Sequence, residues 1–508
     1  PSHDTADFND TPAPGNLRAD YVLPSTDLPV GGAGVFWPRP SDFLHPLVGP
    51  GFPAVSSDHR LVWVDLAVAG STMPNGVAAG DMTSDSVMLW ANSTIPGDIL
   101  FEISTDPSFG SIDQSLVAAG GDETGPAKVL VEGLAAGTTY HYRATDLAGT
   151  VVTGTFRTAA DTDTSMTPMG FRMGITGDWR GELAPYPAIN NMAGSDLDLV
   201  IGLGDTIYAD VASPILPGIA QVTTPEEYAL KHLEVYRERF GVANWADIRS
   251  RTTLLVTIDD HEVTNDFSGG AHPSSDPRFA GDPAEFINDA ALYEAGMGAF
   301  QAFNPIADEF YGDTGDARTA GERKLYRSRT YGTDAAVMVL DNRSFRDEPL
   351  PPVTDPTDLA QVVAFLTASF DPSRTMLGQP QLQDLLADLA EAQARGVVWK
   401  FVIVPEPIQN LGVAAASDRF EGYAAERTAI LDFITTNGIE NVVFVAADIH
   451  GTLVNNLKYE LGPLQPQLPT TAWEITTGSV AYDAPFGPTV VQLAASLGLL
   501  TPEEVAFY

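Results

Sequence analysis

Four short segments of this chain carry groups suited to holding cations. ITGD ends at Asp178, VIGLGDTIY contains Asp205, TLLVTIDDHEVTNDF contains Asp259, Asp260, His261 and Glu262, and VAADIH contains Asp448 and His450. Each follows an apolar, β-branched run of the kind that forms a buried strand. Charged groups at the end of a buried strand are expensive to desolvate unless they are paired or a cation is bound beside them. Any one such aspartate also reads as a turn residue or a helix N-cap. Together, with histidines and no lysine among them, they point to cation binding, because so many close acids would otherwise repel one another and hold protons. Side chains alternate across a strand, so Asp260 is expected to face the cations and Asp259 to turn away, bracing a loop or capping a helix.

The elements that must position these groups are α/β in pattern. After the polar linker DTDTSMTP, strand-like runs (FRMGITGD, DLDLVIGLGD, RTTLLVTIDD, DAAVMVLDNR, WKFVIVPEP, NVVFVAADIH) alternate with helical stretches. TPEEYALKHLEVYRERFG has a capping box from Thr224 to Glu227, Pro225 at the first helical position and Gly241 at its end. In open α/β sheets the C-terminal strand ends converge on one edge, where sites lie. Residues 266–325 read as an insertion over that end, built around FINDAALYEAGMGAFQAF, and residues 346–380 as a second, irregular one. Residues 71–160 break into short alternating runs typical of a small antiparallel β-sandwich. Within them, GLAAGTTYHYRATDLAG resembles the turn-and-strand signature of fibronectin type III domains, and His141 reads as a strand residue. Residues 1–70, rich in Pro and Gly, are poor helix or strand material and read as an extended arm that Phe36, Trp37 and Phe43 dock. The catalytic part is expected to span 165–508.

Composition narrows the chemistry. The chain has 508 residues, a formal net charge of -40 and no cysteine. Disulfides, thiolate nucleophiles and Cys-ligated metals are therefore excluded. Such a negative field disfavours nucleic acid and anionic membranes as partners. With only five lysines, the surface suits work in salt, though an acidic protein without salt adaptation has the same composition. No apolar run is long enough to span a membrane. The opening PSHDTADFND, with neither initiator Met nor apolar leader, reads as a processed chain from a secreted or periplasmic protein, although a chain cut elsewhere looks the same. There is no G-x-S-x-G elbow, P-loop or dinucleotide fingerprint. A binding protein with a degenerate α/β scaffold would show broken ligand positions, and these are intact.

Asp178, then GDTIYAD, then DDHEVTNDF, then ADIH, in this order, resemble the calcineurin-like metallophosphoesterases, and more closely the PhoD-like alkaline phosphatases. GVAAGDMTSDSVMLWAN resembles the start of that family's N-terminal domain, while LDNRSFRD and WKFVIVPEPIQN match more loosely. The resemblance implies an α/β/β/α two-sheet sandwich preceded by the small β-sandwich. It also implies a phosphatase that hydrolyses phosphate esters by attack of a metal-bound hydroxide. Phosphodiesterases and phospholipases D of the same fold are the alternative. By that resemblance Asp205 bridges two metals, and Asp178, Tyr208 and His450 complete a ferric site. Asp260 and Asp448 bind a second ion, calcium or another divalent. His261 stays unligated and serves the leaving oxygen, and Asn265 lines the phosphate pocket or contacts a metal. Arg343 and Arg346 either help make the pocket positive or are surface salt-bridge partners. Some relatives carry cysteine where this chain has Asp178, a change that alters metal preference. Glu406 stands where related superfamilies carry a metal-binding histidine, as a replacement ligand or a solvated loop residue. Oligomeric state is not legible.

Overall fold

The computed structural model describes residues 30–36, 61–66, 71–166, 170–413 and 416–482, with scattered positions from 491 to 501. They fall into two compact units, Pro1–Ser71 and Thr72–Tyr508. In the first, strand β1 (Val30–Val35) runs antiparallel to β2 (Val62–Leu66). The stretch expected to lack strands thus holds a pair, because ladder pairing overrides the weak strand preference of VGGAGV. Trp37 and Phe43 lie outside the described residues.

The second unit begins with β3 (Val77–Gly80), β4 (Ser86–Ala91), β5 (Ile99–Ser104), β6 (Gln114–Ala118), β7 (Ala127–Glu132), β8 (Thr139–Thr145) and β9 (Val151–Arg157). Strands β6-β5-β8-β9 form one antiparallel sheet, with Tyr140, Tyr142 and Ala144 of β8 pointing inward and His141 outward. Strands β3, β4 and β7 belong elsewhere. They continue a sheet of order β10-β11-β12-β3-β4-β7, whose parallel half is β10 (Met173–Thr176), β11 (Leu199–Gly202) and β12 (Thr253–Val256). Thr253 pairs with Ala79 and Leu254 with Gly80 across the junction. A Cβ at Gly80 would stand 2.5 Å from Pro305 O, so only glycine permits that approach. The stretch read as a separate sandwich therefore shares a sheet with the α/β part.

The second large sheet has the order β13-β14-β15-β16-β18-β17, from β13 (Arg327–Tyr331), β14 (Ala335–Val339), β15 (Trp399–Ile403), β16 (Val442–Ala446), β17 (Leu453–Tyr459) and β18 (Leu468–Thr476). Period-two alternation divides the faces. Leu199, Ile201 and Leu255 of one sheet share a core with Val337, Val339, Ile403 and Val445 of the other. The opposite face of the first sheet (Val200, Leu254) packs on α1 (Pro225–Tyr236), α2 (Asn244–Arg249) and α3 (Ala291–Phe303). The far face of the second (Val402, Phe444) packs on α5 (Gln379–Ala394) and α6 (Ala424–Thr436). The result is an α/β/β/α sandwich.

The capping box at Thr224 and Glu227 is present. Helix α1 ends at Tyr236, short of Gly241, because Arg237 turns extended and Arg239 bridges to Val242. The second insertion holds a helix, α4 (Leu359–Ser369), capped by Asp358, where irregular chain was expected. Among the described residues no helix is long and apolar enough to cross a membrane.

Candidate metal centre

Strands β10, β11, β12 and β16 deliver Asp178, Asp205, Asp260 and the pair Asp448 and His450 to their C-terminal ends. Asp178, Asp205, Asp448 and His450 all take left-handed backbone, with φ of 63, 52, 62 and 53°. Asp and His tolerate that region better than most residues, and such strain persists where surroundings over-determine it. The tightest constraint is Gly204 in GLGD. Its φ is +93°, and a Cβ there would meet Asp259 N at 2.3 Å. Glycine lets the two ligand-bearing turns touch.

Two groups of donors result. Asp178, Asp205 and His450 place ligand atoms within 4.8 Å of one another, and so do Asp205, Asp260 and His261. Asp205 belongs to both, as a bridging residue must. Tyr208 joins the first group, its hydroxyl 3.1 Å from Asp205 Oδ2 and 3.4 Å from His450 Nε2. His450 Nε2 lies 3.3 Å from Asp178 Oδ1. The Tyr482 ring lies against His450, tilted by 37° with ring centroids 3.7 Å apart. Asp448 falls in neither group.

Both oxygens of Asp178 are buried, and apart from the approach of His450 to Oδ1 neither has a hydrogen-bond partner. Burial pushes its carboxyl up, and burial with the charges of Asp260, Asp259, Glu262 and Asp178 pushes Asp205 well up. Burial and Asp205 likewise raise the Tyr208 phenol, so only a cation at that oxygen would make it a phenolate. The donors, oxygen and imidazole around orphaned acceptors, fit bound metal ions.

His261 Nδ1 lies 2.6 Å from Asp210 Oδ1. Burial alone would lower the imidazole, but Asp260, Asp210 and Asp259 outweigh it and hold it at about 9. The other oxygen of Asp210 accepts from Asn265 N at 2.8 Å. Asp210 was not singled out from the sequence, since its partner sits 51 positions away. Glu262, named with its neighbours in the sequence, was given no role of its own there. Its carboxylate accepts from Asp205 N (3.1 Å), Thr206 N (2.7 Å), Thr206 Oγ1 (2.7 Å) and Asp259 N (2.9 Å), tying the two ligand turns together.

Arg343 and Arg346 are not surface residues: both are fully buried. Arg343 Nε bonds Asp259 at 2.6 Å, Nη1 bonds Asp418 at 3.0 Å, and Nη2 contacts Glu406. Arg346 bonds Glu406 at 2.6 Å and Asp418 at 2.8 Å. Glu406 is therefore not solvated: its Oε1 is the counter-ion shared by two buried guanidiniums. Asp259 Oδ1 bonds Arg343 Nε, while Asp260 lies 3.6 Å from Arg343 Nη2. Burial raises Asp260, but Arg343 and His261 outweigh it and hold it well below the usual carboxylate range.

Residues 177–498 match the family model described as PhoD-like phosphatase, and residues 61–160 that of the PhoD-like phosphatase N-terminal domain. The chain is similar to alkaline phosphatase D of Bacillus subtilis (strain 168), with 26% identity over 419 residues, 75% of this chain and 65% of that protein. It thus spans just under two thirds of that curated relative's length. The solved structure of PhoD covers 81% of this chain and 78% of its own, with a TM-score of 0.64 at 23% identity, which establishes the fold.

Proposed function

Because the chain belongs to the PhoD-like phosphatase family, we propose that it is a metal-dependent phosphoesterase, an alkaline phosphatase releasing inorganic phosphate from phosphate esters. The observation that carries this reading is Asp178, a buried carboxylate beside Asp205 that His450 Nε2 approaches at Oδ1 and whose Oδ2 has no partner. Asp178, Asp205, Tyr208 and His450 would hold one ion, which we assign as ferric iron. Asp205 and Asp260, with Asp448 as the remaining carboxylate, would hold a calcium ion. When bound, such ions neutralise the phosphate charge and activate a water for in-line attack.

The chain's own residues supply the rest. Asp210 holds Nδ1 of His261, which leaves Nε2 on the side of Asp205 and Asp260. As the bond from phosphorus to the ester oxygen breaks, the imidazolium gives that oxygen a proton and the alcohol leaves neutral. Asn265, exposed and beside His261, is assigned to the phosphate oxygens. Export from the cytoplasm belongs to the same proposal, and fractionation of producing cells tests it.

An alkyl phosphate needs a proton on its leaving oxygen, whereas p-nitrophenolate leaves without one. His261→Asn should keep its metals and hydrolyse glycerol phosphate about 100-fold more slowly, while p-nitrophenyl phosphate is affected far less. Equal losses on both esters would remove His261 as the acid. Absence of hydrolysis of any mono- or diester by the metal-loaded protein would sink the phosphoesterase reading. Iron at Tyr208 predicts a tyrosinate charge-transfer band that Tyr208→Phe abolishes.

A further inference from the structure

Beside the metal centre lies a cavity of about 450 Å³ formed between the two insertions. Asp266, Ser268, Asp276 and Arg278 line it from the first insertion and Glu348 from the second. It adjoins the centre on the His261 side. Asp266 N donates to Asp260 Oδ2 at 2.6 Å, and Arg278 Nη1 donates to Asn265 O and, at 2.9 Å, to Thr264 Oγ1. Asn265 N in turn bonds Asp210, the partner of His261. Backbone bonds from Gly269 to Arg343 (2.9 Å) and from Gly270 to Arg346 (3.0 Å) pin the first insertion to the loop that leads into the second.

The lining has a definite charge. Arg278, the cation that lines the cavity, binds Asp276 through Nε at 2.9 Å and Nη2 at 2.5 Å, and its Nη1 is engaged as above. Four of that guanidinium's five N–H donors are thus engaged, and its charge is matched by Asp276. Among the described residues neither Asp266 nor Glu348 makes an ion pair, and both are exposed. Ser268 is 4% exposed, and its Oγ has no hydrogen-bond partner. A buried hydroxyl left unpaired costs free energy unless a ligand or water meets it. The cavity therefore offers a hydroxyl partner and two carboxylates outside any ion pair where a departing alcohol would lie.

We propose that this cavity receives the alcohol part of the phosphate ester and selects alcohols carrying an ammonium group over anionic ones. The proposal rests on the phosphoesterase reading above. On the metal-loaded protein, kcat/KM for phosphocholine should exceed that for 3-phosphoglycerate about fivefold to tenfold, the size expected of two partly exposed charges. Glu348→Lys should invert the preference and Glu348→Gln should narrow it. Choline should also inhibit p-nitrophenyl phosphate hydrolysis more strongly than glycerate, and lose that advantage in Glu348→Lys. A ratio near one, or a ratio unmoved by Glu348→Lys, overturns the cavity assignment while p-nitrophenyl phosphate hydrolysis leaves the phosphoesterase reading standing. No hydrolysis of p-nitrophenyl phosphate either would instead overturn that reading and the cavity with it.

Discussion

Glu262 is the single residue on which most of the site's internal order converges. It accepts two backbone N–H bonds from the Asp205 turn and one from Asp259, so removing it leaves several buried donors without acceptors. Glu262→Ala should cost about 3–5 kcal/mol of stability and weaken metal binding, measured by urea unfolding and by metal titration. Unchanged stability would mean the donors find other partners. Asp210 acts through His261, and its test is a pH profile. Asp210→Asn should move the alkaline limb of glycerol phosphate hydrolysis to lower pH, because the imidazolium loses a carboxylate that holds its proton. The acids at the strand ends were legible in the sequence because a charge after a buried strand has few inexpensive explanations. Arg343, Arg346 and Glu406 were not, because their roles depend on partners up to 84 positions away. Sequence types show a charge but not what neutralises it.

Elements make demands of their own. Gly204→Ala would force a Cβ to 2.3 Å from Asp259 N at a φ of +93°, so it should destabilise the protein by more than about 1 kcal/mol and lower metal occupancy. On α1, His232 is fully buried, stacks on Phe303 at 5.3 Å, and bonds through neither ring nitrogen. Burial, aided by Arg249, lowers it to about 3 from 6.5. Between those values the unfolded chain binds a proton that the folded one excludes, so stability falls as pH drops through that window. At about 1.4 kcal/mol per pKa unit the effect is large enough to read in urea midpoints at pH 4 and pH 7. His232→Phe should flatten that difference, and an undiminished acid slope would place the sensitivity elsewhere. The central parallel strands were readable because they are apolar on both faces. Edge strands β13 and β17, RSRTY and LVNNLKY, were not, since their polar, half-exposed residues resemble loop. Helix α4 was hidden behind the prolines of DEPLPPVTDP.

At the scale of the whole molecule, the shared sheet is what the sequence division obscured. Strand β12, which carries Asp260, is flanked by β11 on one side and β3 of the sandwich on the other. A chain restricted to residues 165–508 would expose that strand's edge and part of the common core formed by Val77, Leu89 and Phe101 with Leu255. It should fail to fold or bind metal, checked by circular dichroism and metal analysis; a soluble, metal-binding fragment would show the two parts to be independent. The net charge of -40 sets the remaining problem, since the protein as a whole repels the phosphate it is proposed to bind. Arg343, Arg346 and Arg278 are all engaged by carboxylates, so the proposed function requires cations at Asp178, Asp205 and Asp260 to reverse the field. Metal content and glycerol phosphate hydrolysis, followed on one sample through chelation and restoration of iron and calcium, test this most directly. Turnover should vanish with the metals and return with them, and Asp178→Asn should not recover it; full turnover in demonstrably metal-free protein would contradict the central claim.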